Sequence, residues 1–111
     1  MAPTAARGHV RLATVYAQLN QPEPAVEQLL EAVRLEPNQP EHYQTLSRLY
    51  EQMGRLDLAI VALRDGINVA APAAPTVQAD LADRLALLYE RGGMSREAEA
   101  EHQRAQTLRS R

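Results

Sequence analysis

Cysteine, lysine, phenylalanine and tryptophan are all missing from this 111-residue chain. Without cysteine there is no disulfide, no thiol nucleophile and no thiolate ligand for a metal, and the redox state of the compartment stays open. Without Phe or Trp, the core must come from Leu, Ala, Val and the four Tyr, a set that suits closely packed helices. With no lysine, all 12 basic residues are Arg, which reads as a compositional bias and not as chemistry. Charge of one sign is also lacking. The net charge is −2 and the pI about 5.9, which gives no electrostatic case for nucleic acid or an anionic membrane as partner. No window approaches the ~18 consecutive apolar residues of a membrane span. The longest mostly apolar stretch, Ile67 to Pro75, is broken by Asn68, Pro72 and Pro75. Met1 to Arg7 lacks a basic head followed by an apolar run of signal-peptide length, so the cytoplasm is the expected location.

What is present is periodic. Apolar residues make up 45% of the chain and charged residues 23%, an ordinary balance for one small domain spanning 1–111. Tyr16, Tyr50 and Tyr89 recur at intervals of 34 and 39, and so do Leu12, Leu46 and Leu85. Ala25, Ala59 and Ala98 share those intervals, as do Ala32, Gly66 and Ala105. Every column shifts together, so the chain is a 34-residue repeat with one five-residue insertion. The repeats run at about 6–39, 40–73 and 79–111, with the insertion within about 70–78, where Ala70 to Pro75 supplies small residues and helix-breaking prolines.

Inside each repeat the apolar spacing is helical. His9, Leu12, Ala13 and Tyr16 follow i, i+3, i+4, i+7. Tyr43, Leu46, Ser47 and Tyr50 repeat it, as do Ala82, Leu85, Ala86 and Tyr89. The second halves carry Ala25, Leu29 and Ala32, then Ala59, Leu63 and Gly66, then Ala98, His102 and Ala105. Asn20, Gly54 and Gly92-Gly93 separate the halves at one register, where a helix ends on a left-handed residue. Six helices are predicted, at roughly 4–19, 22–35, 39–53, 55–70, 76–91 and 95–109, with no strand.

These columns resemble the tetratricopeptide repeat, whose 34-residue pattern runs aromatic, Leu, small, Tyr, then Ala, large apolar, Ala and Pro. His9, Leu12, Ala13, Tyr16, Ala25, Leu29, Ala32 and Pro37 carry the match in the first repeat. The resemblance covers nearly the whole chain. It implies an all-α fold: three antiparallel helix pairs stacked as a short right-handed α-solenoid. The small residues Ala13, Ser47 and Ala86 would let the first helix of each pair approach the second, at Ala25, Ala59 and Ala98, with a crossing near ~20°. Two departures stand out. His9 and Ala82 replace a large early residue, and His102 replaces an apolar one in a last helix that is polar almost throughout. That helix is expected to act as a loosely packed, solvent-compatible cap.

No enzyme site emerges. Glu99-x-x-His102 is half of a carboxylate di-metal motif with no second copy. His9 and His42 lack a His partner one turn away, so zinc is unsupported. Ser47 is explained by its size, and Gly92-Gly93 is a helix end and not a phosphate cradle. No catalytic residue, metal or cofactor is expected.

The remaining candidate is a surface. The resemblance implies that the first helices line a concave groove that holds a protein or peptide. The first repeat would present Arg7, Val10, Arg11, Thr14 and Gln18 there. The second would present Glu41, Gln44, Thr45, Arg48 and Glu51, and the third Asp80, Asp83, Arg84, Leu87 and Arg91. Some members of the family clamp the carboxylate of chaperone tails with two Lys, two Asn and one Arg. The matching positions here are Val10, Thr14, Thr45, Asp80 and Arg84, and only the Arg is kept, so that ligand is excluded. Arg11, Arg48 and Arg84 instead suggest an acidic peptide held by charge-assisted bonds. Intrahelical pairs Asp80–Arg84 and Arg48–Glu51 are expected to temper that field. Scaffolding of a partner protein is thus the expected function. The alternative is a structural module that self-associates, or part of a longer repeat array, through an apolar N-terminal edge at Val15 and Leu19. The chain is expected to be a monomer or a weak homo-oligomer.

Overall fold

The computed structural model describes residues 2–70 and 75–110, with side chains from residue 5 onward. Among these residues there are six helices: α1 (Ala2–Gln18), α2 (Pro22–Leu35), α3 (Pro40–Gln52), α4 (Leu56–Val69), α5 (Pro75–Arg91) and α6 (Ser95–Arg109). Each boundary falls within two residues of the expectation from periodicity, the ordinary uncertainty of a helix end. The centre of the five-residue insertion, 71–74, lies outside the described residues.

The joints within each pair are built alike. Asn20, Gly54 and Gly93 take positive φ of 60°, 74° and 76°. Just beyond each, a backbone N–H reaches back to the tyrosine carbonyl of the same column. Gln21 donates to Tyr16, Arg55 to Tyr50 and Met94 to Tyr89, each at 2.8 Å. These are Schellman-type closures, and they satisfy carbonyls that the helix end would otherwise leave unpaired. Proline stands at the start of α2 and α3, where its missing N–H costs nothing. The helices α2, α3, α4 and α6 have no side-chain N-cap bond, so these prolines and the joints define the turns.

Packing follows the small-residue columns. Ala13, Ala25, Ala59, Ala86, Ala98 and Ala105 are buried. Ser47 is fully buried, and its hydroxyl donates 3.0 Å to the carbonyl of Ala59, so its polar atom is satisfied where α3 meets α4. Gly66 replaces the alanine of its column for a reason in α3. A Cβ there would lie 3.1 Å from Cβ of Tyr43, the one large side chain at that register. The Tyr43 hydroxyl donates 2.9 Å to the carbonyl of Pro37 and ties α3 to the loop before it. Burial and the nearby Asp65 push the Tyr43 phenol above its ordinary pKa.

The core divides into two clusters. One joins α2 and α3 through Val26, Leu29, Leu46 and Leu49. The other joins α4 and α5 through Ile60, Leu63, Ile67, Leu81, Leu85 and Leu88. Helix α6 adds only Ala98 and Ala105 as buried residues, with Leu108 partly buried beside them.

One core expectation fails. Leu12 shares its column with Leu46 and Leu85, yet it is 44% exposed where they are 3% and 1%. The reason is positional: Leu46 and Leu85 are covered by the preceding helix pair, and α1 follows none among the described residues.

Candidate functional site

Of the side chains expected to line one groove, six line two separate clefts. At the N-terminal cleft, Arg7 and Val10 of α1 face Glu36, Gln39 and His42, at the junction of α2 and α3. His42 Nε2 lies 3.2 Å from a Glu36 carboxylate oxygen, which locks that wall. At the C-terminal cleft, about 340 Å³ in volume, Glu51 of α3 meets Arg84, Leu87, Leu88, Glu90 and Arg91 of α5. Arg11, Thr14, Gln18, Glu41, Gln44, Thr45, Arg48, Asp80 and Asp83 line neither of these clefts. Thr14 and Thr45 each donate their hydroxyl to the carbonyl four residues earlier, Val10 and Glu41, both at 3.0 Å. Their protons are therefore engaged within their own helices.

The charge pairing differs from the local pattern that spacing suggested. Glu51 does not pair with Arg48. It accepts from Arg91 at 3.2 Å, across from α5 to α3. Asp80 does not pair with Arg84. It accepts from Arg109 of α6 at 2.8 Å, and the same guanidinium reaches Asp83 at 2.6 Å. The hydrogen bonds to Asp83 and Asp80 raise the pKa of Arg109 further. His102, also of α6, lies 3.2 Å from Glu90 and 3.7 Å from Asp83. Asp80 and Asp83 on α5 thus have their cation on α6, and Glu90 has an imidazole there. Packing brings these groups within reach of one another. An intrahelical pair is worth only a few tenths of a kcal/mol, too little to outweigh a better-placed partner on the next helix.

The consequence is an imbalance. Among the described residues, Glu51, Asp80, Asp83 and Glu90 each have a cationic or imidazole partner within reach. Arg7, Arg11, Arg48 and Arg84 have no carboxylate at ion-pairing distance there. Arg84 is half-buried, and its Nε is inaccessible to solvent without a hydrogen-bond partner. Beside it Leu87 stands exposed. Sequence reading missed Glu36, Gln39, His42, Leu88 and Glu90 as cleft residues, and missed α6 as the source of counter-ions. The one signal available was that Arg109 and His102 sit on the face of α6 that returns along α5.

A further cleft, about 390 Å³, opens between α4 and α6 over Leu85 and Tyr89 of α5. Its polar walls are Arg64 and Asn68 on one side and Glu97, Glu101 and Arg104 on the other. It marks where polar side chains of α6 replace the apolar ones that would fill the gap. No three of His, Asp and Glu converge as a metal site would require among the described residues. No helix there is long and apolar enough to cross a membrane.

Three helix pairs stacked in one register, with a polar last helix, define an α-solenoid of interaction repeats. The family model for the tetratricopeptide repeat matches residues 6–39 and 41–71, more than half of the chain, and the chain belongs to that family. It is a protein-interaction module of a generally non-enzymatic fold. No curated protein matches it in sequence. Among solved structures, MamA superposes with a TM-score of 0.82 at 22% identity, covering 96% of this chain and 60% of that one. The chain therefore spans about three-fifths of the length of MamA. The N-terminal domain of stress-induced protein-1 (STI-1) from C. elegans gives 0.89 at 14% identity, covering 97% and 87%. The Yersinia enterocolitica type III secretion translocator chaperone SycD gives 0.76 at 21%, covering 93% and 73%. At these identities the likeness is one of fold.

Proposed function

We propose that the protein is a cytoplasmic adaptor whose first helices, α1, α3 and α5, hold an acidic peptide segment of a partner protein. The observation that carries this reading is the charge imbalance. Among the described residues, Glu51 of α3 and Asp80, Asp83 and Glu90 of α5 have partners, whereas Glu41 and four guanidinium groups on the first helices, including the half-buried Arg84, do not, which leaves the cations in excess. Arg84 lines the C-terminal cleft, where the exposed part of its guanidinium can take a peptide carboxylate through a charge-assisted bond. Leu87 and Leu88 beside it suit an aliphatic residue next to the acid. Arg109 has an indirect part: by neutralising Asp80 and Asp83 it removes the repulsion those acids would exert on the ligand.

The test is fluorescence anisotropy with acidic, basic and apolar peptide libraries at two salt concentrations. The targets are the wild type and the Arg11→Ala, Arg48→Ala, Arg84→Ala triple variant. Acidic peptides should bind, weaken as salt rises and lose binding to the variant. Hits that are apolar, insensitive to salt and unaffected by the triple change would overturn the reading. A second reading, assembly through the N-terminal edge, is favoured by the exposure of Leu12, Val15 and Leu19.

A further inference from the structure

One face of α5 lines the C-terminal cleft. Arg84, Leu87, Leu88 and Arg91 follow i, i+3, i+4 and i+7 there, and Glu51 lines it from α3. That spacing puts the two arginines about 10.5 Å apart along the helix axis. Leu87 lies between them, 55% exposed. The two guanidinium groups differ in their pairing. Among the described residues Arg84 has no carboxylate at ion-pairing distance, and Arg91 has one, Glu51 Oε1, at 3.2 Å. The Arg91 side chain is mostly exposed, and an exposed pair of this kind is weak and screened by salt. Glu90, the other acid of the cleft, lies 3.2 Å from His102 Nε2 on α6.

The Glu51–Arg91 pair borders a second cleft as well. Both residues line a smaller cavity of about 230 Å³ that reaches Gly54 and Leu56 at the joint of α3 and α4. The ion pair therefore stands as a partition between the two clefts. A Cβ on Gly54 would meet nothing within 4 Å, so the joint leaves that end open. Separating the pair would join the clefts into one trough, from Arg84 past Arg91 to the joint.

We propose that this cleft reads a segment with two carboxylate side chains about 10 Å apart and an aliphatic one between them, and that Glu51 is a built-in stand-in for the second carboxylate. One acid takes the exposed part of the Arg84 guanidinium. The other displaces Glu51 from Arg91 in an exchange of one carboxylate for another, and Glu51, a quarter exposed, turns to water. The aliphatic residue covers Leu87. An extended chain of polyproline II type meets the spacing, since its residues i and i+3 share a face and lie about 9 Å apart. A single acid is drawn to Arg84, the unpaired group. A second acid adds only the difference between its own bond to Arg91 and that of Glu51. This inference rests on the acidic-peptide reading of the groove and adds the number and spacing of the acids.

The probes are dye-labelled peptides blocked at both ends, so that side chains supply every carboxylate. The first carries Glu-Leu-Ala-Glu at its centre, the second has Gln for the last Glu, and the third has the two Glu adjacent. In fluorescence anisotropy the first should bind the wild type at least about threefold more tightly than either of the others. Glu51→Gln releases Arg91 with little change of shape. It should tighten the first peptide about threefold or more and leave the second nearly unchanged. Arg91→Ala should bring the first peptide down to the affinity of the second, and Glu51→Gln should add nothing in that background. Circular dichroism should show these variants folded, since the pair they break is exposed. If Glu51→Gln fails to tighten the first peptide, or the spacing of the acids has no effect, while the triple Arg→Ala variant still loses acidic peptides, the stand-in is overturned and the groove reading survives. If no acidic peptide binds either the wild type or the Glu51→Gln variant up to millimolar concentration, both are overturned.

Discussion

The two ends of the stack are built from the same repeat and finished in opposite ways. At the N-terminal end, Leu12, Val15 and Leu19 stand open to solvent. At the C-terminal end, the outward columns that hold Val26 and Ile60, then Val33 and Ile67, in the inner repeats are filled by Glu99 and Gln106. Helix α6 is held to α5 by the buried Ala98 and Ala105 with Leu108 beside them, and exposed polar contacts add to this: Arg109 to Asp80 and Asp83, and His102 to Glu90. The difference shows that a column has no burial of its own. A leucine is core in the second and third repeats and surface in the first, and what changes is the neighbour.

The comparison can be broken most sharply within one column. Leu46→Ala should lose about 2–5 kcal/mol of stability, the range for a buried leucine, because both flanking pairs pack on it. Leu12→Ala, with nearly half its surface already in water, should lose about 1 kcal/mol or less. Urea titrations of the two variants decide. Equal losses would mean that the first pair is covered in solution.

A smaller effect should separate the ends by their chemistry. Arg109→Ala removes both ion pairs at the C-terminal end. It should lower the melting temperature slightly in dilute buffer and not at all in concentrated salt, because exposed pairs are screened. Leu46→Ala should show no such salt dependence. A salt-independent loss for Arg109→Ala would mean that its aliphatic stem, and not its charge, holds α6.

The smallest effect lies between the ends, at the joint of the first two repeats. The folded state raises the Tyr43 phenol above its ordinary pKa of about 10. A raised pKa contributes stability that is complete below the unfolded value and lost as pH climbs through the folded one. Stability should therefore fall from about pH 10 upward on this account. Tyr43→Phe should reduce that alkaline loss while forfeiting the bond to Pro37 at neutral pH. Denaturant midpoints at pH 8 and above pH 10 test it, and an alkaline loss unchanged in the variant removes Tyr43 as its cause.

Helix boundaries, joints and pairing columns were legible in the sequence because each rests on local chemistry. Asn20, Gly54 and Gly93 end helices since they accept positive φ cheaply. Alternating small and large residues declare which faces meet. The helices that carry Arg11, Arg48 and Arg84 were legible, but the pairing of the charged side chains was not. Long side chains such as Arg48, Arg84 and Arg91 can reach several acids along or between helices, and the energies of those choices differ by tenths of a kcal/mol. Only the packed distances decide, and they gave Glu51 to Arg91, and Asp80 to Arg109. Leu12 tells the same lesson for burial. Its identity set what it could pack against, and the stacking of whole helix pairs decided that it packs against nothing here, because burial belongs to neighbours far away along the chain.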